Sequence, residues 1–316
     1  MMDYLVYLAW SIILLLTALI MAPLLDGVRR VIRAKVQRRM GPPVLQTFYD
    51  LRKLFGLPSL IPYRNYLLVL ALYIVFFVVV LLSILVPIPF VISPSSTVDI
   101  ISFIYILLFA SATLIYAALI IPNPYSNAGS IRELLLITLF ELFVAFTIVG
   151  LAYRIGTLNM YLLGIRYGWT EHYLKPSTLL LSLSLLIIAY VEGAYIPFDI
   201  GEAETEVLGG PYLEYGGKYY GLLLYALLIK RYVLLALPVS LVFVSPIINY
   251  VADIFNGFTL MVLSYGLFII FMFLTMMLFS VIEAFNPRYR VDIVYKPILV
   301  SALIPIIGFI LGWFGW

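Results

Sequence analysis

The sequence predicts an all-α polytopic membrane protein with about eight membrane-spanning helices and structured cytoplasmic loops. Three observations carry that prediction. Hydrophobic residues make up 64% of the 316 and charged ones only 11%, with a mean hydropathy of +1.11; a soluble domain is about a quarter charged. Apolar runs of the ~20 residues needed to cross a bilayer as a helix recur along the whole chain. The 19 lysines and arginines gather on alternate connections between those runs.

The first run, 4–25, has no basic stretch before it and no small-residue cleavage site after it, so it reads as a retained span and not as a signal peptide. Further spans are expected at 64–92, 98–121, 131–153, 177–196, 219–248, 257–284 and 296–315. The chain reads as one membrane domain, 1–316, with a basic loop at 26–63 and an acidic loop at 197–218. The connection after the first span carries Arg29, Arg30, Arg33, Lys35, Arg38, Arg39, Arg52, Lys53 and Arg64, and the same side receives Arg132, Lys218, Arg288, Arg290 and Lys296. The other side holds only Arg154, Arg166 and Lys175. Cytoplasmic loops carry the excess of basic residues, so both loops are expected in the cytoplasm of a cell membrane and both termini outside. Within 26–39, Val28, Ile32 and Val36 recur at helical spacing with arginines around the rest of the circumference, the pattern of a helix lying in the interface.

Cysteine is absent, which argues against disulfides, thiolate-held iron–sulfur clusters and zinc–thiolate centres. The single histidine, His172, stands in a polar WTEHYLK segment without partner ligands. No cofactor, metal or active site is therefore expected on this chain, and nothing in it points to nucleic acid; its medium is the lipid bilayer.

Ionisable residues inside spans are costly and functional by default. Lys230 and Arg231 lie about 17 Å into the sixth span at 1.5 Å per residue. Glu141 stands in the fourth span, two turns beyond Glu133 and on nearly the same side of the helix. Glu192 and Glu283 lie near the cytoplasmic ends of the fifth and seventh spans. These six residues are candidates for an ion relay, against the alternative that they pair and fix helix packing. The other concentration of charge is VEGAYIPFDIGEAETEVLGGPYLEY at 191–215, which holds six of the sixteen acidic residues. Five of them, Asp199, Glu202, Glu204, Glu206 and Glu214, form a candidate coupling loop, since crowded carboxylates titrate as a coupled set.

Four ordered motifs carry a resemblance. QRRMGPP followed by LQTFYDLRKL is similar to the first cytoplasmic loop of the membrane subunit shared by NADH:quinone oxidoreductase (the subunit 1, or NuoH, family) and the membrane-bound energy-converting [NiFe] hydrogenases. SNAGSIRELLLITLFE at 126–141, Glu192 with IPFDIGEAETE and LGGPYLEYGG, and NPRYRVD at 286–292 resemble three later motifs of the same family. The departures favour the hydrogenase branch, which includes a related membrane-bound sulfane sulfur reductase. Pro43 runs directly into Val44, Leu45 and Gln46 where quinone-reducing members continue with a Gly-Pro-x-Gly segment. Tyr195 stands where they carry an arginine, and Leu227 where they carry a glutamate.

The resemblance implies a subunit of a ferredoxin-linked, ion-pumping oxidoreductase complex. Its peripheral large and small subunits would hold the iron–sulfur clusters and a NiFe centre, and antiporter-like membrane subunits would move protons or sodium. Arg38, Arg39, Asp50, Arg52, Lys53, Arg132, Arg288 and Arg290 are the expected docking residues for the peripheral arm. The rival readings are a sulfane sulfur reductase subunit, a quinone-site subunit, a passive anchor and a secondary transporter; for the last, no inverted repeat is evident.

Overall fold

The computed structural model describes residues 2–59, 65–91, 93–167, 174–201 and 204–315, and of residues 2–5, 142, 204 and 205 the backbone only. Among these residues the fold is all-α, as expected of a polytopic membrane protein. Seven helices are long and apolar enough to cross a membrane, and an eighth, shorter apolar helix is Pro176–Glu192. His172, Glu202 and Arg64 lie outside the described residues.

Helix α1, Met2–Val36, joins the first span and the basic segment after it in one continuous rod; the sequence reading had separated them after residue 25. Short α2, Gln46–Gly56, follows a turn. Helix α3 covers Tyr66–Ile84 and stops short of the expected 92, because Pro87 and Pro89 lack the N–H and the space that a helix interior requires. Helix α4 spans Ile100–Leu119. Helix α5, Pro124–Ile155, starts seven residues before the expected 131: the Asn123 side chain accepts from the Tyr125 N–H and Pro124 occupies the first turn, a favourable start. After short α6, Met160–Arg166, α7 runs over Pro176–Glu192 and α8 is a single turn, Glu204–Val207. Helix α9, Gly217–Pro238, passes through a π turn at Val239–Val244 into α10, Ser245–Val251. Helices α11, Gly257–Phe285, and α12, Tyr295–Trp313, complete the chain.

Helix α9 is the hub. Of its most apolar window 83% is buried, against 22% for α12, and α1, α2, α3 and α7 all pack on it. Its central position explains how two cations can sit within a span. They face neighbouring helices instead of lipid, where an ionised group is most costly.

Candidate charge relay and docking loops

The last third of α1 builds the first charged cluster. Asp26 is 4% exposed and stands three and four residues before Arg29 and Arg30, the spacing that puts side chains on one helix face. Its carboxylate accepts from Arg29 Nη2 at 2.7 Å, Arg30 Nε at 2.8 Å and Thr47 Oγ1 of α2 at 2.9 Å. Arg30 also reaches Asp50 of α2 at 3.0 Å. Two links thus fasten α2 to α1. On the opposite side, Arg29 and Arg33 donate to Glu283 at 3.4 and 3.1 Å, and Glu283 is only 2% exposed. Helix α11 is tied to the same cationic stretch.

Tyr195 lies at the centre of this cluster. The guanidinium carbons of Arg29 and Arg231 sit 5.6 and 5.9 Å from its ring centroid, within cation–π range. Arg231 also donates from Nε to the Gly193 carbonyl at 2.8 Å. Asp26, Arg29, Tyr195 and Arg231 line a cavity of about 10 Å³, the size of one water.

The second group surrounds a larger space. Glu141 of α5 and Glu192 at the end of α7 both line a cavity of about 200 Å³ whose walls are otherwise almost entirely apolar, Ile104, Leu107, Val144 and Ile148 among them. A smaller pocket continues from Glu192 towards Val233 and Leu237 of α9. Lys230 acts electrostatically on Glu192. Successive helical residues differ by about 100°, so Lys230 serves the glutamate side while Arg231 serves the tyrosine side. The cationic pair read as one feature in the sequence therefore divides between two groups. Glu141 is exposed on the outer side of α5, where the sequence reading had expected it within an internal polar chain. Glu133, two turns earlier, faces the acidic loop and is approached by the Tyr212 hydroxyl at 3.5 Å.

The acidic stretch is seated on the first turns of α5. Arg132 pairs with Glu206 at 2.5 Å, and Arg288 with Asp199 at 2.6 Å. Asn123 Nδ2 donates to Glu214 at 2.5 Å. Each of these carboxylates has its own partner from another element, an arrangement that differs from a crowd of mutually repelling acids. Glycine makes the close approach feasible. A Cβ on Gly129 would stand 2.5 Å from the Gly210 Cα and 2.9 Å from the Gly201 carbonyl oxygen. The stretch also meets the segment before α12, since the Tyr289 N–H donates to the Pro197 carbonyl at 3.0 Å. Burial pushes the Tyr215 phenol up to about 12, so it stays neutral at physiological pH.

The expected docking residues divide in two. Arg38, Arg39, Arg52 and Lys53 are exposed, beside exposed Met40, Tyr49 and Phe55. Arg132, Arg288 and Asp50 are instead committed to Glu206, Asp199 and Arg30 within the chain, and Arg290 pairs with Asp292 at 3.3 Å in an open position. Asp26, Arg29, Arg30, Arg33, Thr47 and Tyr195 were not among the candidate site residues expected from the sequence. Asp26 did carry a signal: it is the one acid before a run of arginines, with Arg29 and Arg30 at helical spacing.

A family model described as NADH dehydrogenase matches residues 8–313. Hydrogenase-4 component C of Escherichia coli (strain K12) is 29% identical over 238 residues, 74% of this chain and 73% of that protein. Formate hydrogenlyase subunit 4 of the same organism is 30% identical over 222 residues, 69% of this chain and 72% of the relative. An NADH-quinone oxidoreductase subunit of Aquifex aeolicus (strain VF5) is 29% identical over 102 residues, 31% of this chain and 30% of that one. A chain in the structure of the membrane-bound sulfane sulfur reductase, an archaeal respiratory membrane complex, shares the fold with a TM-score of 0.80 at 22% identity, covering 97% of this chain and 99% of that chain. The chain belongs to the NADH dehydrogenase family.

Proposed function

We propose that this chain is the membrane-anchor and coupling subunit of a hydrogenase-type, ion-translocating oxidoreductase complex. Exposed Arg38, Arg39, Arg52 and Lys53 with Met40 and Phe55 form the cytoplasmic dock for a peripheral redox arm. Partner subunits hold the iron–sulfur clusters and the NiFe centre that supply the electron chemistry. The chain itself has no active site; both its termini lie outside, and its basic and acidic loops face the cytoplasm.

The observation that carries this reading is the apolar cavity shared by Glu141 and Glu192, with Lys230 acting on Glu192 from the next helix. Carboxylates on a low-dielectric space exchange protons when a nearby charge changes, because the charged form is poorly solvated there. A proton displaced beneath the docked arm reaches Asp199, Glu206 or Glu214. The seat of that loop on α5 passes the change along one helix from Glu133 to Glu141, and from there antiporter-like membrane subunits take it up. The extent of the relatives supports the hydrogenase branch, since similarity to the hydrogenase-type proteins covers more than twice the stretch shared with the quinone-type one.

Purification of the tagged chain from its native membranes tests the assignment. It is expected to bring down a large subunit with two CxxC pairs suited to a NiFe centre. One altered pair would move the reading to a sulfane sulfur reductase. Ion transport by the chain alone in proteoliposomes would overturn it.

A further inference from the structure

We infer that Arg154 and Lys175, on the face of the bundle opposite the basic loops, hold the phosphate of an anionic membrane lipid whose chains lie along α12. The inference goes beyond the coupling role and uses only the placement of the chain in a bilayer.

Three elements bring the two cations together. Arg154 stands in the last turn of α5, and Lys175 immediately precedes Pro176, the first residue of α7. Helix α12 packs closely on α7, where a Cβ on Gly308 would stand 3.2 Å from Leu180 Cβ and one on Gly312 3.7 Å from Ser177 Cβ. That packing carries the Gly315 carbonyl to both cations: it accepts from Arg154 Nη2 at 3.4 Å and from Lys175 Nζ at 3.5 Å. Both contacts are long, and a neutral carbonyl leaves two like charges side by side unanswered. Among the described residues no carboxylate pairs with either cation, and the enclosed Nε of Arg154 has no partner there. The start of α7 adds to the positive excess, since its first turn has no acidic residue and a helix N-terminus favours an anion.

The surroundings identify the anion as part of a lipid. Tyr153, next to Arg154 in the chain, stacks on Trp313 with ring centroids 5.5 Å apart and planes 14° apart, and both rings are exposed. Amphipathic rings of this kind sit at headgroup level. From Trp313 the exposed side chains of Ile310, Ile307 and Leu303 descend along α12, the least buried of the seven long helices, and give acyl chains an apolar track. A guanidinium and an ammonium that share one oxygen suit a phosphate, whose several oxygens accept charge-assisted hydrogen bonds from both. Free phosphate would use the cations and leave the track idle. A zwitterionic headgroup brings its own cation to the site, so an anionic lipid fits best.

The test uses the complex purified through a tag on this chain and washed free of lipid in detergent. Its thermal midpoint is followed as phosphatidylglycerol, phosphatidylcholine or inorganic phosphate is added, and native mass spectrometry counts the phospholipids retained. Phosphatidylglycerol is expected to raise the midpoint at the lowest concentration, phosphatidylcholine only at higher concentration, and inorganic phosphate not at all. Lys175→Gln and Arg154→Gln are each expected to shift the phosphatidylglycerol titration by about tenfold and to retain one lipid fewer, whereas Lys175→Arg keeps the site. Arg166→Gln removes an exposed cation from the same face and is expected to change neither readout. An unchanged titration in Lys175→Gln would overturn the inference even where Arg154→Gln fails to assemble, and so would an equal shift in Arg166→Gln. Stabilisation by inorganic phosphate that Lys175→Gln abolishes would assign the site to a free anion and overturn the lipid. Ion transport is not read here, so the relay and the lipid site stand or fall separately.

Discussion

Arg288 donates from Nη2 to Oδ2 of Asp199 at 2.6 Å, joining the segment before the last helix to the acidic stretch across 89 positions of sequence. The two side chains are 28% and 14% exposed, so the pair is partly shielded from solvent and counts for more than a surface bridge. Arg288→Ala is expected to lower stability by about 1–2 kcal/mol and to speed amide exchange at 195–201. In a double-mutant cycle with Asp199→Asn, the combined loss is expected to fall short of the sum of the single losses. Strict additivity would show that the contact contributes nothing.

Asp26 fastens α2. Its removal in Asp26→Ala leaves Arg29 and Arg30 without their shared buried anion and Thr47 without its acceptor, a change that costs on the order of 3 kcal/mol where a buried pair loses one partner. Limited proteolysis is expected to cut 40–57 faster in this variant, with a lower thermal midpoint. An unchanged cleavage rate would mean that Arg30–Asp50 holds α2 by itself.

Tyr195 works through its ring. The hydroxyl makes only a 3.8 Å contact to the Met276 sulfur, a weak acceptor, whereas the face meets two guanidinium groups. Tyr195→Phe is expected to leave stability unchanged, and Tyr195→Leu to lose about 1–2 kcal/mol. Equal losses in the two variants, read as thermal midpoints in one detergent, would place the contribution in the hydroxyl instead.

The number of spans was legible in the sequence, because it depends only on the length and composition of the apolar runs. Eight apolar helices overlap the eight expected runs, with shifted ends at α1, α3 and α5. Which face of each span turns inward was not legible. A helix such as α3 is apolar all round, so no periodic stripe tells lipid from protein, and Glu141 gave no sign that it faces outward. Pairings such as Arg29 with Glu283, 254 positions apart, depend on which helices become neighbours. The long reach of α1 was hidden because the change from apolar to basic residues after 25 reads as a span followed by a separate interfacial helix, while the structure runs one helix through both.

Gly129 tests the seat of the acidic loop. Gly129→Ala places a methyl group against the Gly210 backbone and is expected to cost about 1–3 kcal/mol as an overpacked contact, with faster exchange in the amides of 199–215. Gly266→Ala in α11, which meets nothing within 4 Å, is the control and is expected to be neutral or slightly stabilising. Similar behaviour of the two variants would contradict the close packing of loop on helix.

The central claim is that Glu141, Glu192 and Lys230 carry the charge response from the docked arm into the membrane. Its most direct test is the number of ions moved per electron by the assembled complex in sealed vesicles. In Glu141→Gln and Lys230→Met this ratio is expected to fall towards zero, while electron transfer through the peripheral arm continues. An unchanged ratio at normal electron flux would contradict the claim and leave these charges a purely structural role.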